Sequence, residues 1–130
     1  LTALKGAEVL FYPTAIGWHP KEKAQYGENQ FGAWMNVMKG HAVANGVYVA
    51  AANRVGLEKY LPDTDGLEFW GASFIAGPQG EILAQASHDR EEILIAEVDL
   101  ALQENVRQNW PFFRDRRIDA FGDITKRAID

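Results

Sequence analysis

Residues 8–18, EVLFYPTAIGW, constrain the fold of this chain more than any other stretch. Val9, Leu10, Phe11 and Tyr12 form an unbroken apolar run of strand-forming residues, and a run without polar alternation suits a strand covered on both faces. A central strand is expected, stopped at Pro13, which cannot donate to a ladder and turns the chain. Thr14, Ile16, Gly17 and Trp18 then leave from the strand's carboxyl end, where layered α/β proteins build their ligand sites. The plainer reading of the same residues is a strand followed by a surface loop.

A second run repeats the pattern. Residues 47–53, VYVAAAN, are apolar or small up to Asn53, so a second strand buried on both faces is expected, with Asn53 and Arg54 at its carboxyl end, as Thr14 is on the first. Between the two, Phe31, Trp34, Met35, Met38 and Ala42 fall on one helix face, which predicts a helix over 30–45 ended by Asn45-Gly46. Its Trp and Met stripe reads as core or as a helix-on-helix subunit contact. Residues 17–29 show no periodicity and read as a long loop, a class that is often functional. Leu1 and Leu4 sit at helical spacing before a Gly6 stop, with no capping residue ahead of them. The chain therefore reads as starting inside a helix, as a segment of something longer.

Downstream, Pro62, Asp63, Asp65 and Gly66 mark 55–68 as an acidic loop. Residues 69–76 and 81–86 read as a β-hairpin joined by Gly77-Pro78-Gln79-Gly80. A polar connection leads to a further strand at 93–98, and Asp99 is placed to cap a short helix over 100–108 that Trp110-Pro111 ends. FFRDRRID then sets two aromatics before three arginines and two aspartates, and Phe121, Ile124 and Ala128 suggest a weak final helix. This tail reads either as an arm that docks on another surface or as a solvated, salt-bridged face.

Composition narrows the function. With 130 residues, 47% of them hydrophobic, the chain is sized for one core. Its 18 acidic against 13 basic residues, with no basic stripe, argue against nucleic acid as a partner. No apolar segment approaches the ~18 residues that span a bilayer, and there is no signal pattern, so a soluble chain without a membrane partner is expected. The absence of cysteine excludes disulfides, thiolate metal sites and a cysteine nucleophile within these residues. His19, His41 and His88 have no partner at a ligand spacing such as HExxH, so no metal site is expected. His41 reads as a core histidine and His88 as a loop residue, while His19 stands at the mouth of the first strand. Ser73 lacks the strand-to-helix elbow of a nucleophile and reads as a structural hydroxyl inside the sheet. Asp63, Asp65 and Glu68 form either a cation-attracting mouth or an ordinary solvated loop.

Taken in order, LKGAEVLFYPTAIGW, GHAVANGVYVAAANRVG, FWGASFIAGPQGEILAQA, ILIAEVDL and FFRDRRID resemble the carboxyl-terminal half of a carbon-nitrogen hydrolase of the nitrilase superfamily. Within it the pattern is most similar to the N-carbamoylputrescine amidases, chiefly through YPTAIG, the long loop after it, HAVAN and ANRVG. The resemblance implies an α/β fold of the four-layer type, a two-sheet α-β-β-α sandwich. Residues 1–130 would be the carboxyl-terminal part of one domain, with 110–130 as a carboxyl-terminal arm. It further implies a cytoplasmic homo-oligomer, assembled through helix faces and the arm, and hydrolysis by a Glu, Lys and Cys set with no metal or organic cofactor. Those three residues would lie upstream of Leu1, so no catalytic residue maps onto this sequence, and the segment alone is expected to be inactive.

What carries over is the pocket wall, with Thr14, Trp18, His19, Asn53 and Arg54 as substrate-binding residues. The implied substrate is N-carbamoylputrescine, split to putrescine, carbon dioxide and ammonia. An N-carbamoyl amino acid or another amide remains an alternative, with Arg54 available to a carboxylate, as does a non-catalytic assembly or binding role. Open sheet edges would leave the isolated chain marginally stable or prone to associate.

Overall fold

The computed structural model describes residues 1–129. After a 3₁₀-helical turn, Ala3–Lys5, the chain forms β1 (Val9–Thr14), β2 (Gly17–Trp18), α1 (Lys23–Asn45), β3 (Tyr48–Asn53) and β4 (Val55–Glu58). It continues with β5 (Leu67–Trp70), β6 (Phe74–Ala76), β7 (Ile82–Gln85) and α2 (Leu100–Asn109). A four-stranded sheet has the order β1-β3-β6-β7, and a three-stranded sheet the order β2-β5-β4. The expected mixed α/β fold with two sheets is what the chain adopts.

β1 and β3 pair in parallel, from Val9 opposite Tyr48 to Thr14 opposite Asn53. Such a pair needs a long crossover, and α1 supplies it. Trp34 on α1 enters the core with Ala51, Trp70, Phe74 and Ala76, and Phe31, Met35 and Met38 pack around them. The Trp and Met stripe is therefore core. Gly46 ends the helix at φ 56°, its N–H bonded to the carbonyls of Ala42 and Val43, and a side chain here would meet Arg107 Cγ at 2.8 Å. Gly6 ends the first turn in the same left-handed conformation.

α2 anchors the amino ends of the parallel strands. Gln103, buried to 2% exposure, donates to the carbonyls of Gly46 and Glu8, and Arg107 Nε donates to Gly46 O at 2.9 Å. The Asp99 carboxylate caps the helix, accepting from the N–H groups of Ala101 at 2.8 Å and Leu102 at 3.0 Å. Asp99→Ala strands both donors and should lower stability by about 1 kcal/mol, read as an unchanged urea slope with an earlier midpoint.

Several expectations are corrected. Among the described residues β1 lies at the edge of its sheet and not at its centre, and Phe11 is 75% exposed. Pro13 stays within it, paired with Ala52, because an edge strand tolerates a residue with no N–H to give. β3 is not covered on both faces throughout, since Ala52 is exposed. α1 begins at Lys23, inside the stretch expected to be loop. Its first turns face solvent and so carry no apolar period, while Lys23, Ala24, Gln25 and Glu28 are good helix formers. The acidic loop contributes β4 and the start of β5, which pair antiparallel from Val55 opposite Trp70 to Glu58 opposite Leu67.

The hairpin forms between β6 and β7, with Gly80 N–H bonded to Gly77 O. Phe69 and Trp70 belong to β5 instead, because Gly71 and Ala72 take positive φ and break the run between sheets, while Ala72 and Ser73 still bond across to Ser87 and Ala86. Residues 93–98 pair with no strand among the described residues, and Ile93 and Ile95 are 91% and 88% exposed. An apolar run becomes a strand only where a neighbour offers a ladder. In place of a final helix there are two 3₁₀ turns, Ile118–Ala120 and Gly122–Thr125, since the exposed Phe121 and Ile124 bury no common face. His41 is an exposed residue, not a core one, its ring stacked on Tyr12 at 5.8 Å.

Candidate pocket wall at the strand ends

Parallel, in-register pairing makes the carboxyl ends of β1 and β3 coincide, so the two segments singled out by sequence meet. Thr14 Oγ1 lies 3.0 Å from both the Ala52 carbonyl and Asn53 Oδ1. Asn53 Oδ1 also accepts from Ile16 N–H at 3.0 Å, and Asn53 Nδ2 donates to Ile16 O at 3.0 Å and Gly71 O at 3.1 Å. The Asn53 backbone N–H donates to Ser73 Oγ at 2.9 Å. Ser73 is thus the structural hydroxyl its position in the run suggested.

Thr14, Asn53 and Arg54 line one hollow of about 460 Å³, together with Pro13, Ala15 and Ala52. The guanidinium of Arg54 pairs with Glu58 at 2.6 Å and lies over the Phe69 ring at 4.5 Å. His19 belongs to a different and larger hollow of about 730 Å³, which Glu58, Tyr60, Asp63, Asp65 and Phe69 also line. Trp18 packs into the aromatic cluster, 5.4 Å from Trp70, with its indole N–H donated to Gly27 O at 2.9 Å. Lys23 Nζ stands 4.5 Å over that ring. The structure therefore brings three of the five candidates together, places His19 next door and turns Trp18 inward.

Two of the three carboxylates that line the larger hollow are paired, Glu58 with Arg54 and Asp65 with Lys21. Lys21 Nζ lies 2.7 Å from Asp65, whose carboxyl is held below the usual aspartate range by that hydrogen bond and then by the Lys21 charge. Glu68 pairs with Lys23 at 2.7 Å. On the other flank of the β3 end, the Ser87 hydroxyl and N–H bond to Glu92 and pull its carboxyl below the usual range. His88 is a loop residue, but its Nδ1 lies 2.8 Å from the Trp70 carbonyl, which makes Nδ1 the protonated nitrogen since a carbonyl only accepts. Among the described residues no group of three or more His, Asp or Glu side chains is placed to hold a metal ion, and no helix is long and apolar enough to cross a membrane.

Sequence reasoning placed Ile16 at the strand end but missed Gly71-Ala72 as part of this site. Ala72 is fully buried at φ 51°, next to Gly71 at φ 55°, and the left-handed region costs a residue with a Cβ about 1–2 kcal/mol. The signal was available: a glycine inside an apolar β run marks a bend or a close backbone approach. Along the tail, Arg114 pairs with Asp115 and Arg117 with Asp119, while Arg116 lies over the Phe113 ring at 4.7 Å.

Comparison with known proteins places these features. Residues 1–108 match the model of the carbon-nitrogen hydrolase family. The chain is 46% identical over 122 residues to an N-carbamoylputrescine amidase of Arabidopsis thaliana, covering 91% of this chain and 39% of that protein. It is 39% identical over 125 residues to a citrullinase of Francisella tularensis, covering 96% of this chain and 42% of that one. The crystal structure of a carbon-nitrogen hydrolase from Helicobacter pylori G27 superposes with a TM-score of 0.91 at 49% identity, over 98% of this chain and 44% of that one. The chain thus spans about two-fifths of the length of the relatives it matches. Since the family match runs from β1 through most of α2 and the backbone superposes on a solved member, this chain belongs to the carbon-nitrogen hydrolase family.

Proposed function

We propose that this chain forms one wall of the pocket of a cytoplasmic amidohydrolase that converts N-carbamoylputrescine to putrescine, carbon dioxide and ammonia. The observation that carries the reading is the junction of Thr14 and Asn53 at 3.0 Å beside a hollow, in a chain 46% identical to an amidase of that name. The reacting Glu, Lys and Cys belong to a portion outside these residues. There the Glu takes the thiol proton, the thiolate attacks the carbamoyl carbon, the Lys stabilises the oxyanion, and ammonia leaves. One water then releases a carbamate that breaks down to carbon dioxide and the free amine.

The chain's own contribution is shape and charge. Asp63 and the face of Tyr60 border the larger hollow, beside Glu58 and Asp65, which are paired with Arg54 and Lys21, and they suit the distal ammonium of a diamine. Exposed apolar residues of 110–129, among them Trp110, Ile118 and Ile124, form the arm through which copies of the protein associate in this reading.

A second reading, a ureido amino acid as substrate, is favoured by the 39% identity to a citrullinase. It asks Arg54 to receive a carboxylate, yet Arg54 is engaged by Glu58. Ammonia release by the full-length protein separates the two. The expected kcat/KM for N-carbamoylputrescine exceeds that for citrulline and β-ureidopropionate by at least about 100-fold, because both competitors bring a carboxylate into a site that suits a lone ammonium. The reverse ranking establishes the second reading, and no release from any of the three ends both.

A further inference from the structure

We infer that Asn53 is a positioning residue, the tie that holds the pocket wall together, and not a group that touches substrate; this rests on the pocket reading above. A carboxamide offers two N–H donors and two acceptor lone pairs. In Asn53 both donors are spent within the chain, on the carbonyls of Ile16 and Gly71, while Oδ1 accepts from Ile16 N–H and lies 3.0 Å from the Thr14 hydroxyl, whose one proton it shares with the Ala52 carbonyl. No donor is left on the side chain for a ligand to use, and its oxygen already has two neighbours from the chain.

The partners explain why an amide stands here. Asn53 and Thr14 end strands of the four-stranded sheet, Ile16 leads into β2 of the three-stranded sheet, and Gly71 leaves β5 of that same sheet. One side chain therefore clamps the point where the sheets part. The Gly71-Ala72 turn that it grips is held in a conformation costly for Ala72, and such backbone persists only where its surroundings over-determine it. Ser73 reinforces the clamp, its Oγ accepting from Asn53 N–H and lying 3.3 Å from Asn53 O. If the amide is lost, the segment 14–17 and the Arg54 end of β3 move relative to each other, and the hollow between them changes shape.

Asn53→Asp makes this testable, because it keeps size and acceptors but removes donors. A carboxylate here would face the carbonyl oxygens of Ile16 and Gly71, and only its protonated form can donate to one of them. Opposed carbonyls raise a carboxyl's pKa. The charged groups facing this strand end are Arg54 beside it and Arg90, Glu91 and Glu92 across the hollow that Asn53 also borders. In the full-length protein, N53D is expected to raise KM about tenfold or more at roughly pH 8, the loss of one part-buried hydrogen bond, with kcat within about threefold of the parent. The KM defect should shrink toward roughly pH 5.5 as the new carboxyl protonates. A KM equal to the parent's at both pH values, or a defect confined to kcat, overturns the inference.

A measurement on the unaltered protein stands beside it and decides the matter if N53D does not fold. The two Asn53 side-chain amide hydrogens should exchange slowly by NMR and keep their shifts when putrescine is added to saturation. Fast exchange, or a large shift on one amide hydrogen, identifies Asn53 as a ligand contact and overturns the inference. Exchange protection needs no turnover, so a protein inactive on N-carbamoylputrescine would defeat the functional reading while leaving this result intact.

Discussion

Replacing Trp70 by alanine is expected to lower the stability of the full-length protein by about 3–5 kcal/mol, the range for emptying a buried indole site. Trp70 is 1% exposed and sits where the two sheets and α1 converge. Its ring lies 5.8 Å from Trp34, 5.9 Å edge-on from Phe31 and 5.4 Å from Trp18. No single neighbour can fill the space, because the surrounding rings are held by other contacts, Trp34 against Phe74 and Trp18 by its bond to Gly27. Trp70→Phe should cost far less. The indole N–H has no hydrogen-bond partner among the described residues, so phenylalanine strands no polar group and even removes an unsatisfied one. Urea unfolding of both variants checks this, and an alanine variant within about 1 kcal/mol of the parent would show that the cluster is not the core.

Gly17→Ala is the second large effect, and it should act on the pocket as much as on stability. Gly17 pairs with Phe69, and a methyl group there would overlap the Glu68 carbonyl and meet Phe69 Cα at 2.7 Å. Both obstacles are backbone, so relief requires β2 to move away from β5. Overpacking of this kind costs about 1–3 kcal/mol. Because Gly17 follows directly on the segment that Asn53 clamps, the displacement also carries Ile16 away from its bonds, and KM should rise about tenfold for the loss of one such bond. Gly32→Ala is the control: a methyl there, inside α1, meets nothing within 4 Å, and it should be neutral or stabilising by up to about 1 kcal/mol. Equal behaviour of the two variants would mean that β2 and β5 are not held as close as the structure has them.

The two strands that meet at the site were legible because each is an apolar run with a plain stop. The first runs on through Pro13 to Thr14 and the second to Asn53, and parallel pairing brings the two ends side by side. The cap at Asp99, the stop at Gly46 and the turn at Gly77-Gly80 were legible for the same reason, since each depends on residues within a few positions of one another. The opening turns of α1 were not, because exposed helix residues carry no apolar period. β4 was hidden by its exposed Leu57 and by the acidic, proline-containing loop beside it. Residues 93–98 misled in the opposite direction, since their composition suits a strand but no ladder is offered to them among the described residues.

Residue order by itself thus determined the alternation of helix and strand, the resemblance to a hydrolase family and the absence of a cysteine nucleophile from these residues. Only the tertiary structure decided that Asn53 is held by partners 18 to 39 positions away, that Arg54 is held by Glu58, and that Trp18 turns into the core while His19 lines a separate hollow. The physical reason is range: periodicity and capping report neighbours a few residues apart, whereas the donors and acceptors that complete one amide are assembled by the way two sheets meet.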